Sequence, residues 1–458
     1  MLRRILVANR GEIAARIVRT CQRLGIETVL AVSDADADAV PARLADRIVR
    51  LGPAPAAQSY LSVDAVIRAA AAAGADAVHP GYGFLAENPG LARACTAAGL
   101  TFVGPSPGQL AAAGDKLAAR RHAAAAGLPV LPGGEAGGVT AAQALAAGIG
   151  YPVLIKAAGG GGGRGLRPVA GPHELAAAAR QAIAEARAAF GDPRIYLERF
   201  VPVARHVEVQ LLGDGESVIH LGDRDCSVQR RYQKLVEEAP APGLDPALRA
   251  AMYHAAVAFG TRLRYQGLGT VEFLVDPRAG AFWFLEMNAR IQVEHPVTEA
   301  VTGLDLVAEQ LAVAEGSRLR LAQDEVTVTG HAIECRINAE DWQHGFRPSP
   351  GTVTRAVFPA GRGIRVDTWI QAGSVVPPHY DSLLAKIIVS GPGRPAAVAL
   401  LQRALAACEL AGVCTNLGMH AGLCREPAFT AGAVDTGFLA AALDRMQATA
   451  GAGAGTGG

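Results

Sequence analysis

The sequence lacks any apolar run long enough to cross a membrane. The uncharged window between Glu135 and Lys156 is broken by Gly137, Gly138, Thr140, Gln143, Gly148, Gly150 and Pro152, too polar and kinked for a span of about 20 apolar residues. A secretory signal is missing as well. The start MLRRILVANRGE offers only Ile5–Ala8 before Asn9, Arg10 and Glu12, short of the roughly 7–15 apolar residues that a signal peptide needs. Nor is there a surplus of charge: 43 Lys and Arg stand against 42 Asp and Glu, which argues against duplex nucleic acid or an anionic membrane as a partner. The seven cysteines (Cys21, Cys95, Cys226, Cys335, Cys408, Cys414, Cys424) form no C-x-x-C pair. An odd, unpatterned set points to reduced, mostly core thiols and to a cytoplasmic setting. No internal repeat occurs, and no G-x-G-x-x-G follows the first apolar run, so no dinucleotide site is expected there.

What is present is bulk. Half of the 458 residues are hydrophobic and 19% are charged, enough for a large core and about three domains. Residues 1–110 alternate apolar runs (Ile5–Ala8, Thr28–Val32, Ala75–His79, Thr101–Val103) with helical stretches such as Glu12–Leu24. Such alternation predicts a doubly wound parallel sheet, with the loop His79–Phe84 at a strand's carboxyl end, where such sheets bind ligands. Pro105 and Pro107 punctuate a boundary. Beyond it, Gly114-Asp-Lys116 opens an Ala-rich helix, Gly133–Gly138 reads as a loop, and strand Tyr151–Ala157 runs into a glycine run ending at Arg164-Gly165. Helix 173–190, strands Ile195–Phe200, His206–Leu212 and Ser217–Leu221, and helix 245–264 follow. A hairpin is expected between Gly269–Val275 and Ala281–Glu286. From about 330 strands dominate until helix 395–407, which reads as a separate domain. The expected class is therefore α/β and α+β: a doubly wound N-terminal domain over 1–113, a central domain over 114–318, a mostly β domain over 330–440, and a disordered Gly/Ala tail over 446–458.

Glycine makes up 54 residues, about 12% against a usual ~7%, and the excess concentrates in the run Gly159–Gly163. Each ordered Gly costs roughly 0.5–1 kcal/mol relative to Ala, so in an Ala-rich chain the run needs a reason. A flexible linker is one; a phosphate cradle, in which bare N–H groups close on a polyphosphate beside Lys156 and Arg164, is the better one. The segment Glu286-Met-Asn-Ala-Arg-Ile-Gln-Val-Glu294 alternates polar and apolar without a break. In an extended chain Glu286, Asn288, Arg290, Gln292 and Glu294 would share one face, a surface for metal and anion rather than a merely solvated edge. Glu272, on the preceding strand, could face Glu286, and Glu272, Glu286 and Asn288 would suit Mg²⁺. The basic segment Arg224–Lys234 is neutralised by Asp223, Asp225, Glu237 and Glu238, so a loop holding small anions fits it better than a nucleic-acid patch. His206, Arg336 and Tyr380-Asp-Ser382 say little alone.

Taken together, Ile5–Ile13, His79–Phe84, Gly114–Lys116, Lys156–Gly165, Asp225–Pro242, Glu286–Glu299 and Glu334–Asp341 resemble the biotin carboxylase family, over residues 1 to about 440. The resemblance implies a pre-ATP-grasp, Rossmann-like N-terminal domain, an ATP-grasp domain with a mobile glycine-rich lid over about 130–203, and a C-terminal biotin carboxylase domain. It implies ATP contacts at Lys116, Lys156, Gly162, Gly163, Glu198, Arg199, Phe200, Val201, His206, Tyr232, Glu272 and Glu286. Mg²⁺ or Mn²⁺ would be held by Glu272, Glu286 and Asn288, and bicarbonate by Lys234, Arg290, Gln292 and Val293. Glu294 would be the general base and Arg336 would face biotin; Glu294, Arg290, Lys234 and Arg336 form the catalytic set. The chain departs from the family's usual pattern at Tyr232 (usually His), Ala289 (usually Thr) and Thr436 (usually Ile).

The activity so implied is carboxylation of biotin by ATP and bicarbonate through carboxyphosphate, the first half-reaction of acetyl-CoA carboxylase in fatty acid synthesis. Subunits of other acyl-CoA carboxylases, an ATP-grasp ligase with another acceptor and a nucleotide sensor without turnover are the alternatives. No Met-Lys-Met-like motif occurs, so biotin is expected on a separate carrier protein, with carboxyltransferase subunits as further partners and a homodimer as the assembly.

Overall fold

The computed structural model describes residues 2–157, 166–190 and 193–454. The first sheet is parallel, in the order β3-β2-β1-β4-β5, from β1 (Arg4–Val7), β2 (Glu27–Ser33), β3 (Arg47–Gly52), β4 (Ala77–His79) and β5 (Thr101–Phe102). Ile5, Leu6 and Val7 of the central strand are all fully buried, as a parallel strand covered on both faces requires. The alternation expected over this stretch is there, and β3 adds to it. Its Arg47-Ile-Val-Arg50 run carries charge and leaves Ile48 exposed, an edge-strand pattern that gives little periodic signal.

A small antiparallel sheet, β6-β9-β7-β8, comes next: β6 (Gly133–Ala136), β7 (Val153–Ala157), β8 (Arg167–Val169) and β9 (Ile195–Arg199). Gly133–Ala136 is thus a strand where the sequence suggested a loop. It pairs with β9, and tertiary pairing overrides glycine's low strand preference. The glycine run Gly159–Gly163, including Gly162 and Gly163, falls with Arg164 within residues 158–165, outside the described residues.

The large sheet contains β10 (Arg205–Asp214), β11 (Val218–Arg230), β12 (Gln233–Ala239), β13 (Gln266–Asp276), β14 (Ala281–Asn288) and β15 (His331–Asn338). Its order is β14-β13-β10-β11-β12-β15, continued by strands Leu383–Gly391 and Ile364–Thr368. The join is antiparallel, with Val236 opposite Cys335 and Glu237 opposite Glu334, so the segment from 330 onward, read as separate, shares its sheet with the central segment. On β10, Val207, Val209 and Leu211 pack with Met252 and Phe259 of helix Pro246–Arg262, while His206, Glu208 and Gln210 alternate to the opposite face, yet are also buried. That second, polar face is the site described below.

The basic segment Arg224–Lys234 is not an open loop but the end of β11, a tight turn and the start of β12. Arg230 pairs with Gln233 across Arg231 and Tyr232, whose φ of 47° and 68° mark the mirror-image two-residue turn that follows sheet twist. The last helix, Phe438–Ala454, runs through the first residues of the expected Gly/Ala tail, whose alanines favour helix; residues 455–458 lie outside the described ones. Among the described residues no cysteine is bridged, and all but Cys414 are buried. No described helix is long and apolar enough to cross a membrane.

Candidate active site

The register of the large sheet puts three carboxyls side by side: Glu208 on β10 opposite Glu272 on β13, and Glu272 opposite Glu286 on β14. Like charges directly opposite one another destabilise a sheet, so this row demands cations. Lys234 supplies one. Its Nζ lies 2.5 Å from Glu208 Oε2, 2.7 Å from Glu272 Oε1 and 2.7 Å from Glu294 Oε1. Arg224, wholly buried, supplies another. Its Nε donates to Glu208 at 2.6 Å, Nη1 to Gln210 at 2.7 Å and Thr298 at 2.9 Å, and Nη2 to Thr270 at 3.1 Å. Arg224 is therefore committed to the wall of the site rather than open to an incoming anion. His206 Nε2 stands 2.9 Å from Glu272 Oε2.

The polar row 286–294 converges, but not as one strand face. Strand β14 stops at Asn288, the chain turns, and Glu294 stands just before helix His295–Thr302, its carboxylate turned to the site rather than to the helix end. Side chains close the gap. Asn288 Nδ2 donates to Glu272 at 2.9 Å, Arg290 Nη2 to Asn288 Oδ1 at 2.8 Å, Arg290 Nη1 to Gln292 Oε1 at 2.9 Å, and Gln292 Nε2 to Glu272 at 3.3 Å. Glu87, which no sequence motif indicated, steers this turn: one oxygen accepts from Ala289 N at 3.0 Å and the other from Arg290 Nε at 2.9 Å.

Glu294 is fully buried, and Arg336 Nη2 donates to its second oxygen at 2.8 Å. Burial disfavours its charge, but Lys234, Arg336 and Arg224 outweigh burial and hold its pKa well below the usual carboxylate range. Arg336 also donates through Nε to Glu237 at 2.6 Å. Glu237 pairs with Glu334 in register and is pushed up to about 7 by burial, with Arg336 opposing. The Arg336 carbonyl accepts from Asn416 Nδ2 at 3.0 Å and lies 2.8 Å from His420 Nε2, so the residue is held at its backbone as well as through its side chain.

Between the small and large sheets lies a cavity of about 180 Å³. Leu131, Leu154, Leu274 and Leu285 line its apolar part; Lys116, Lys156, Glu198, His206, Glu272 and Glu286 line its charged part. Leu166, Arg199, Phe200, Val201, Gln229, Tyr232 and Thr436 also line it, so the candidate nucleotide contacts from the sequence that fall among the described residues (the two lysines, the β9 end, His206, Tyr232, Glu272 and Glu286) meet here. Lys116 opens helix Lys116–Ala125, whose N-cap Asp115 accepts from Leu117 N at 2.9 Å and Ala118 N at 2.8 Å. Its Nζ stands 3.8 Å from Glu286, and Lys156 pairs with Glu198. Glu286 and Glu272 offer hard oxygen donors at the cavity's charged end, and Asn288, whose Oδ1 accepts from Arg290, stands beside Glu272. Glu286 is partly exposed there and faces a like charge across the ladder. That donor set fits a divalent cation of the Mg²⁺ type.

Three family models match in chain order: the biotin carboxylase N-terminal domain over residues 1–110, the carbamoyl-phosphate synthase L chain ATP-binding domain over 115–322, and the biotin carboxylase C-terminal domain over 334–441. A biotin carboxylase from Nostoc sp. is 49% identical over 439 residues, 95% of this chain and 98% of that one. The chain belongs to the biotin carboxylase family. It is thus an ATP-grasp ligase of that family, and the family's range is visible among its relatives. A pyruvate carboxylase subunit from Methanothermobacter thermautotrophicus is 46% identical over 96% of this chain and 90% of that one. Two solved structures superpose closely. A Campylobacter jejuni biotin carboxylase, in a β,γ-ATP complex, has a TM-score of 0.93 at 42% identity, covering 96% of this chain and 99% of that one. The biotin carboxylase domain dimer of Hydrogenobacter thermophilus 2-oxoglutarate carboxylase, with MgADP, ADP and bicarbonate, has a TM-score of 0.92 at 43% identity, covering 96% and 98%.

Proposed function

We propose that this biotin carboxylase carries out the first half-reaction of acetyl-CoA carboxylase in the cytoplasm. It would carboxylate biotin borne on a separate carrier protein, and work as a homodimer alongside carboxyltransferase subunits. ATP fits the cavity between the sheets, its base among the leucines and its phosphates toward Lys116 and Lys156, with the segment over about 130–203 as the lid that excludes water. Glu272, Glu286 and Asn288 would hold Mg²⁺ or Mn²⁺, which when bound supplies charge neutralisation at the phosphates.

Bicarbonate fits against Lys234, Arg290, Gln292 and Val293, beside Glu294. It is a weak nucleophile, so alignment with the γ-phosphate and removal of its proton by Glu294 provide the activation. The unliganded Glu294 is too well stabilised to be a strong base. An arriving anion shares Lys234 with it, weakens that stabilisation and raises its proton affinity. The carboxyphosphate formed splits to CO₂ and phosphate, and phosphate takes the biotin N1′ proton. Arg336 would stabilise the enolate-like ureido oxygen by turning from Glu294 toward biotin.

One observation carries this reading: a single ammonium, Lys234, touches three carboxylates of different roles within 2.5–2.7 Å. Phosphate release from ATP, measured with and without bicarbonate and free biotin, tests it. Release that needs bicarbonate and rises with biotin is expected; release indifferent to both sinks it. A second reading, in which the acceptor is another acyl-CoA or a 2-oxo acid, is favoured by the 46% identity to the pyruvate carboxylase relative. Co-purifying the partner subunits and assaying their acyl-CoA preference separates the two.

A further inference from the structure

Lys386, on strand Leu383–Gly391, is wholly buried and belongs to none of the groups assigned above. A buried ammonium persists only when paired and hydrogen-bonded, so its partners are informative. Its Nζ lies 3.0 Å from Glu12 Oε2 and 3.9 Å from Asp367 Oδ2, and donates to the backbone carbonyl of Val293 at 2.8 Å. Burial opposes the charge, but Glu12, Glu334 and Asp367 outweigh it and hold the pKa above the ordinary lysine value. Glu12 stands in the first turn of helix Gly11–Arg23 and accepts from the Tyr82 hydroxyl. Two N-terminal motifs that the nucleotide site leaves unused, Gly11-Glu12 and the loop His79–Phe84, thus meet at Glu12, the partner of this lysine.

Val293 immediately precedes Glu294, and residues 289–294 belong to no strand or helix. Their backbone has no ladder to fix it. Without a hold on that carbonyl the dihedrals on either side of the peptide joining Val293 to Glu294 are free to drift, and an uncompensated drift re-aims the Glu294 carboxylate away from Lys234 and Arg336. The structure assigns Lys386 the part of a positioning residue in bicarbonate activation: by holding the Val293 carbonyl it orients the peptide that carries Glu294. Glu12 is its counter-charge. The inference rests on the reading of Glu294 and Val293 given under the proposed function.

A purely structural ion pair is the competing explanation, and charge-balanced variants separate the two. Lys386→Met alone strands the Glu12 charge and can fail to fold for that reason. Glu12→Gln keeps Lys386 on Val293 with Asp367 as counter-ion, whereas Glu12→Gln/Lys386→Met removes both charges together with the grip. Melting temperature, KM for ATP, and kcat/KM for bicarbonate in phosphate release are measured for each. Glu12→Gln is expected within about threefold of wild type in kcat/KM for bicarbonate. The double variant is expected to fold and keep its KM for ATP, while kcat/KM for bicarbonate falls roughly 10–100-fold. A double variant with wild-type bicarbonate kinetics overturns the proposal. So does one that does not fold or loses ATP affinity in parallel, since either makes Lys386 a structural prop. If wild-type protein itself shows no bicarbonate-dependent phosphate release, the functional reading fails instead, and that outcome is seen before any variant is made.

Discussion

Arg224→Met is the sharpest test of how the acidic row is held together. The substitution keeps the side chain's approximate length but removes the guanidinium that bonds Glu208, Gln210, Thr298 and Thr270 in a fully buried setting. Breaking one partner of a buried ion pair costs about 3–5 kcal/mol, and three neutral acceptors lose their donor as well. At about 2–4 °C per kcal/mol for a unit of this size, the melting temperature should drop by roughly 10 °C or more. The loss should also depend on pH. Burial already holds the Glu208 carboxyl above its usual range while Arg224 pulls it back. Without Arg224 its pKa rises further, and a carboxyl with a raised pKa contributes stability at low pH that is lost as pH climbs through it. The destabilisation should therefore grow as pH rises above the ordinary carboxylate range. Replacing both partners, Glu208→Gln/Arg224→Met, should recover a large part of it. Denaturant melts across pH measure all three. A single-variant loss below about 1 kcal/mol, or one unchanged by pH, would refute the reasoning and return Arg224 to the anion-holding role that its local sequence suggested.

Other consequences follow from the same geometry. His420 is buried, and burial lowers its pKa to about 4, with the Arg336 carbonyl opposing. A histidine depressed in the fold withholds a proton that the unfolded chain binds, so stability is lost as pH falls from about 6.5 toward 4; His420→Gln should flatten that acid limb in thermal melts. Glu286→Gln should raise the Mg²⁺ needed for half-maximal phosphate release by about tenfold or more, and a chelator should abolish release. Unchanged Mg²⁺ dependence would remove Glu286 from the metal set.

Much of this arrangement could be read from residue order because the chemistry is local in the chain. The alternation His206-Val-Glu-Val-Gln210 marks a strand with one polar face, and the same period through Glu286–Asn288 places two donors beside Glu272. The period misleads beyond Asn288. Arg290, Gln292 and Glu294 reach the site because Glu87 and Lys386 hold a turn, and both lie roughly 90 to 200 positions away in the chain, where no periodicity can point to them. Segment 224–234 read as a loop because its charges outweigh its apolar residues, and only the ladder to β10 and β12 reveals that Arg224, Asp225 and Lys234 are held in buried pairs. Glu237 and Glu334 were invisible for the same reason: their meaning comes from cross-strand register.

The central claim is that Glu294 takes the proton from bicarbonate at a site where the nucleotide already binds. Transfer of label from radioactive bicarbonate to free biotin, compared between wild type and Glu294→Gln with ATP affinity measured alongside, addresses it directly. The account predicts labelled biotin from the wild type, a loss of about 10²–10⁴-fold in the variant, and unchanged ATP affinity. Label transfer at the wild-type rate in Glu294→Gln would contradict it.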